Sequence, residues 1–233
     1  MQLSIIIPTL NEAAAIGATL DAVQKLSTAD QAAPEILIVD GGSDDGTIDI
    51  VQSRGIQVVR TPQGRGIQLQ AGAAAASGDV LWFLHADTRP PPDAAARIDG
   101  ALQNSGTAGG NFTLCFDGER RAARLLTRMY PHFRKLGLCY GDSGIFCRRS
   151  AYDAAGGFRP LPIFEDLDLI KRLKLQGRFI HLPCTITTSS RRFEGRSFAW
   201  TFARWTGMQI LYWLGVSPYA LSRVYAPIRS RNT

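Results

Sequence analysis

The chain lacks most of what would mark a secreted, metal-caged or membrane-spanning protein. Its four cysteines (Cys115, Cys139, Cys147 and Cys184) are widely spaced and form no Cys-x-x-Cys pair. They read as reduced, mostly buried thiols of a cytoplasmic protein. The first apolar run, Ser4–Ile7, has no basic segment before it and no small-residue cleavage site, so no signal peptide is expected. No Gly-x-Gly-x-x-Gly follows a strand, which excludes the dinucleotide-binding fingerprint. The apolar stretch Met208–Leu214 is too short to span a bilayer and is interrupted at Gly215 and Pro218. Acid is scarce in the second half. Residues 120–233 hold 20 Lys/Arg against 6 Asp/Glu, net +14, whereas residues 1–119 hold 6 against 14, net −8. A basic half asks for an anionic partner: phosphate, or an anionic membrane surface. With no helix-turn-helix, zinc-finger or RNP-like pattern, no nucleic acid is expected.

What is present suffices for one α/β domain. The chain has 233 residues, 45% hydrophobic and 20% charged. Apolar runs at Leu3–Pro8, Glu35–Val39, Ile56–Arg60 and Val80–Leu84 read as strands. Helical spacing covers Asn11–Leu26, Thr47–Arg54, Ile67–Ala76 and Ala94–Gln103 between and after them. Alternating strands and helices imply right-handed βαβ units and a parallel sheet. The second half predicts strands over Gly109–Phe116, Ser143–Cys147 and Phe179–Leu182. It predicts helices over Glu119–Leu136, Ala151–Gly156, Glu165–Gln176 and from Ser197 onward.

Five motifs carry chemistry. In Leu81-Trp-Phe-Leu-His85-Ala86-Asp87, an apolar strand delivers Asp87 to its carboxyl end, where open α/β sheets bind ligands. As a lone residue it would read as a helix cap. Asp40 ends the strand Ile36–Val39 and is followed by Gly41-Gly42, which allows a sharp turn and close approach of a ligand. Asp44 and Asp45 fit capping of the helix at Thr47. Pro8-Thr9-Leu10-Asn11-Glu12 leads from the first strand into a helix, and by itself reads as capping by Asn11. Arg65, between Gly64 and Gly66 at a helix start, is either a phosphate ligand or a solvated turn residue. Glu165-Asp166-Leu167-Asp168 opens another helix; its acids either face the helix dipole or include a partly buried general base shielded by Phe164 or Leu167.

Together and in this order the motifs resemble glycosyltransferase family 2 over roughly residues 3–190. Within it they are most similar to the bacterial radical-SAM/selenodomain-associated, arsenosugar-biosynthesis-type transferases. The resemblance implies a GT-A fold: a Rossmann-like, mostly parallel central sheet flanked by helices over residues 1–195, with a C-terminal helical extension over 196–233. It implies that Pro8, Thr9, Asn11, Glu12, Asp40, Gly42, Arg65, Ala86 and Asp87 bind a nucleotide-sugar. Asp87 would ligate a divalent metal, Mn²⁺ or Mg²⁺, with His85 or His181 as further candidate ligands. His85 replaces the family's first aspartate, and imidazole suits Mn²⁺ better than Mg²⁺. Asp166 matches the catalytic base. Gly141, Asp142, Glu165, Arg191 and Arg192 fall on the acceptor or diphosphate side. The implied reaction is inverting transfer of a sugar to an acceptor hydroxyl, lipid-linked or soluble. A nucleotidyltransferase and a non-catalytic nucleotide-sugar-binding relative remain as alternatives.

A basic stripe of Arg120, Arg124 and Arg128 and the apolar, aromatic Met208–Leu214 region suggest a peripheral contact with the inner face of the membrane. A core or dimer-interface helix explains the same residues.

Overall fold

The structure is a computed structural model that describes residues 1–117, 127–128, 141–189 and 198–224. The expected helix over 119–136 therefore lies almost wholly outside the described residues, as do Arg120, Arg124, Cys139, Arg191 and Arg192.

The first half folds as its pattern predicts. Strand β1 (Leu3–Thr9) pairs in parallel with β2 (Glu35–Asp40) on one side and β4 (Val80–Phe83) on the other; β3 (Gln57–Arg60) extends β2. Helices α1 (Ala13–Val23), α2 (Thr47–Gln52) and α3 (Arg65–Ala75) make the crossovers. Strand side chains alternate between two buried faces. Leu3, Ile5 and Ile7 join one core with Ile16, Leu20 and Val23 of α1, while Ile6 joins a second with Leu69 and Ala73 of α3. Burial on both faces explains the unbroken Ile5-Ile6-Ile7 run, each residue contributing roughly 1.5–3 kcal/mol.

The second half is a mixed sheet. Strand β6 (Thr107–Phe116) follows helix α4 (Ala94–Leu102), and β7 (Ile145–Arg148) inserts between β4 and β6, antiparallel to both. Strand β8 (Arg178–Thr188) runs parallel to β6. The full order is β3-β2-β1-β4-β7-β6-β8-β5, with β5 being the two-residue strand Thr88–Arg89. Four of the seven pairings are parallel, so the sheet is mixed where a mostly parallel one is expected. Trp82 stacks on Phe112 and Phe146 meets Phe112 edge to face, joining β4, β6 and β7 with ring centroids 5.3 and 5.8 Å apart.

Strand β8 continues six residues past the expected end at Leu182. Pro183 falls in a bulge, where the register jumps from Asn111↔His181 to Thr113↔Thr185, so its missing N–H breaks no ladder bond. Helices α5 (Arg149–Ala154) and α6 (Glu165–Leu173) cover the second core, through Ala151, Tyr152, Leu169, Ile170 and Leu173. Helices α7 (Phe198–Trp213) and α8 (Pro218–Val224) follow.

Candidate active site

The loops after β1 and β2 are stitched together at the carboxyl edge of the sheet. Asp40 is buried, and its carboxylate accepts hydrogen bonds from the Gly42 and Ser43 amides at 3.0 and 3.1 Å and from the Ser43 hydroxyl at 2.5 Å. Thr9 reaches it at 3.4 Å. Gly42 holds φ +98°, a left-handed turn that would strain any side chain. Asn11, itself at φ +56°, donates its amide to Ser43 Oγ and accepts the Asp44 amide on Oδ1 at 2.9 Å. Asn11 is therefore not the cap of α1. Glu12 stands at that N-cap and makes no side-chain cap bond. Asp45 does bind a helix start, accepting the Thr47 amide at 3.1 Å, and it also takes the Ala13 amide. Gln68 reaches up from α3, buried, and donates to the carbonyls of both Thr9 and Val39 at 2.8 Å. Sequence reading gave Gln68 no role; a polar residue on the sheet-facing side of an Ala/Gly-rich helix was the available signal.

A second cluster joins α3 to α6. Arg65 donates Nε–H to Glu165 Oε1 in a very short ion pair and lies 3.5 Å from Asp166 Oδ2. Its Nη1 stands 3.4 Å from His85 Nε2. Burial works against the Arg65 charge, but Glu165, Asp166 and then Asp142 outweigh it, so its pKa is raised. Burial pushes the Glu165 carboxyl upward, with Arg65 pulling against it. All three acids of the motif are buried, although they do not share a face. Each solves its burial differently: Asp166 also accepts the Leu167 amide at 2.8 Å, and Asp168 is held by Arg172 and Arg159 at 2.6 and 3.3 Å. Phe164, at φ +62°, caps α6 and stacks on Tyr212 of α7 at 5.0 Å. A narrow cleft lined by Arg65, Phe83, His85, Phe158 and Asp166 opens between these elements.

Asp40 and Asp87 both lie at the carboxyl edge, with β1 between their strands; β2 and β4 flank β1 rather than adjoin each other. Asp87 sits half-buried in the turn between β4 and β5, and Thr188 Oγ1 approaches it at 3.4 Å. Gly141 and Asp142 form a short 3₁₀ turn that leads into β7 at the same edge. His181 is elsewhere. It lies seven residues before Thr188 on β8, roughly 20 Å of strand, and its Nδ1 pairs with Asn111 Oδ1 at 2.6 Å. It is not a co-ligand of Asp87. His85, half-buried, turns Nε2 toward the Arg65 guanidinium and lines the same cleft. Among the described residues no three His, Cys, Asp or Glu side chains group to cage an ion. A lone carboxylate at a ligand edge is nonetheless the donor set used by Mg²⁺ or Mn²⁺ when substrate phosphates supply the other oxygens, and Asp87 fits that role.

Comparison with known proteins gives this edge a family. The model for glycosyl transferase family 2 matches residues 4–153. A PGL/p-HBAD biosynthesis glycosyltransferase of Mycobacterium bovis is 40% identical over 91 residues, 36% of this chain and 34% of its own. The chain matches about a third of the length of such curated relatives. Among solved structures, S. aureus TarS in complex with UDP-GlcNAc superposes with a TM-score of 0.63 at 16% identity, over 85% of this chain and 61% of that one. Glucosyl-3-phosphoglycerate synthase from Mycobacterium tuberculosis, in complex with Mn²⁺ and UDP-glucose, gives 0.58 at 23% identity over 79% and 69%. These two likenesses establish the GT-A-like fold. With more than half of its length matched by the family model, the chain belongs to glycosyltransferase family 2.

Proposed function

We propose that the chain transfers a sugar from a nucleotide-sugar donor to an acceptor hydroxyl, by direct displacement with inversion at the anomeric carbon. The carrying observation is the meeting of Asp166 with Arg65 at the sheet edge that also bears Asp40 and Asp87. In this reading the stitched loops of Pro8, Thr9, Asn11, Glu12, Asp40 and Gly42 cradle the nucleoside, and Ala86 and Asp87 underlie the diphosphate. Asp87 would hold a divalent ion, Mn²⁺ or Mg²⁺, which when bound would supply positive charge to the leaving nucleoside diphosphate. Arg65 adds positive charge beside that position and fixes the α6 start. Asp166 takes the proton from the acceptor hydroxyl on the face opposite the leaving group, and one base with one displacement inverts the centre. Gly141, Asp142 and Glu165 border the acceptor, with Arg191 and Arg192 on the diphosphate side. Rate enhancement comes from positioning and charge stabilisation. The ligands of the two structural relatives make UDP-glucose and UDP-GlcNAc the first donors to try.

The test is product analysis with Mn²⁺ and a panel of hydroxyl acceptors. UDP release is expected. Asp166→Asn keeps the size and most hydrogen bonds but accepts no proton, so turnover drops by about 10²-fold or more with donor affinity retained. Release of sugar 1-phosphate instead of UDP, the product of attack at the α-phosphorus, would identify a nucleotidyltransferase and sink the reading. Donor binding without turnover for any acceptor would leave a binding relative.

A further inference from the structure

Helices α7 and α8 present an apolar face outward. Trp200, Leu211 and Leu214 recur at helical spacing on one side of α7 and its end; Trp200 is 69% and Leu214 75% exposed. Ile210, Trp213, Tyr219 and Val224 widen the exposed patch. The opposite side of α7 is the packed one. Met208 and Gln209 are buried there, and Tyr212 stacks on Phe164, the residue before Glu165-Asp166. Tyr219 of α8 reaches the Pro160 carbonyl at 3.4 Å. Helix α7 thus packs its covered side beside the start of α6 and turns its apolar face outward.

Charge names the occupant. Within α7 and α8 the charged residues are two arginines, with no Asp, Glu or Lys. One of these, Arg204, ties α7 to α8 through the Val224 carbonyl at 2.6 Å; Arg223 lies beside it in α8. A two-fold seam between copies would set this arginine set against itself, with no carboxylate in the segment to pair it. An anionic bilayer satisfies both properties at once: tryptophan and leucine enter the headgroup boundary while arginine meets phosphate. No helix among the described residues is long and apolar enough to cross a membrane, so the contact lies in the interface plane.

We propose that α7 and α8 dock the protein on an anionic membrane surface. The consequence for the acceptor rests on the transferase reading above: its hydroxyl is presented at that surface by an amphiphilic molecule. Docking itself is read without turnover, by co-sedimentation of the whole chain with phosphatidylcholine vesicles with and without phosphatidylglycerol. Binding should require phosphatidylglycerol and weaken steeply with salt, because the attraction is screened over about 10 Å at 0.1 M. The double substitution Leu211→Ser and Leu214→Ser should weaken it at least tenfold at an unchanged melting temperature. Arg223→Gln should weaken it about fivefold. Failure to sediment with phosphatidylglycerol vesicles overturns the proposal. So does a dimer that the double substitution dissociates, which would mean a second copy covers the face. A chain that docks but transfers no sugar overturns the transferase reading alone; one that transfers but does not dock overturns only this inference.

Discussion

The Arg65 guanidinium holds the acid end of the site in one piece, and its removal should have a pH signature. Glu165 is almost fully enclosed, and burial raises its pKa from the ordinary 4.5 while Arg65 opposes the rise. Arg65→Met leaves that carboxylate without its cation. Breaking a buried pair from one side costs about 3–5 kcal/mol; the low end applies here, since 35% of the Arg65 side chain meets solvent. A group whose folded pKa exceeds its unfolded one binds more protons when folded. Stability then falls as pH rises through the folded value and recovers as pH drops toward 4.5. Urea unfolding of Arg65→Met should show a deficit of about 3 kcal/mol at pH 8 that shrinks at pH 5. A deficit independent of pH would mean that Glu165 does not carry the unpaired charge. Asp40, Asp87 and Asp166 were legible as candidates because each follows a sequence boundary: a strand end, or a helix start. The partner of Arg65 was not legible. One hundred residues separate it from Glu165, and nothing local in Gly64-Arg65-Gly66 distinguishes a carboxylate partner from a phosphate.

At the scale of elements, α3 shows how closely a helix can approach the sheet. A Cβ on Gly72 would lie 2.4 Å from Ile6 Cγ2 and 2.7 Å from Val39 Cγ2, both in the fully buried core. The same closeness lets Gln68, one turn earlier, reach two strand carbonyls and hold the ends of β1 and β2 together. Gly72→Ala should therefore cost about 1–3 kcal/mol through overpacking. Gly100, exposed in α4, has nothing within 4 Å of its would-be Cβ. Gly100→Ala should instead stabilise by up to about 1 kcal/mol through helix propensity alone. Opposite signs in urea midpoints for the two substitutions check the packing argument; a shared sign would refute it. The Ala/Gly composition of α3 made its close packing readable. Strand β5 was not, because a two-residue element has no period and exists only through its pairing with Thr187 and Thr188, a hundred residues away. The end of β8 was misplaced for a related reason: Pro183 reads locally as a terminator, and only the β6 partner shows that the chain bulges there and continues.

For the whole molecule, topology decides where a ligand can act. Strands β1, β2 and β4 run parallel and end at one edge, and β6 and β8 end there too, because each of the two antiparallel joins at β7 reverses the other. That edge carries Asp40 from one half and Thr188 from the other, and Thr188 Oγ1 lies 3.4 Å from Asp87. A ligand bound there contacts both halves and only in the folded state, so it must raise global stability. At a concentration one hundred times Kd the gain is about 2.7 kcal/mol, which for a domain of this size is a rise of roughly 5–10 °C in Tm. UDP with Mn²⁺ should give a shift of this order, with UDP alone giving less. Asp87 is half-buried at the sheet edge, outside both apolar cores, so Asp87→Ala should leave the unliganded protein folded with a cooperative transition. It should erase the Mn²⁺-dependent part of the shift and leave the part due to UDP alone. An undiminished Mn²⁺ effect in Asp87→Ala would place the ion on other side chains, and the donor site would have to be redrawn around them.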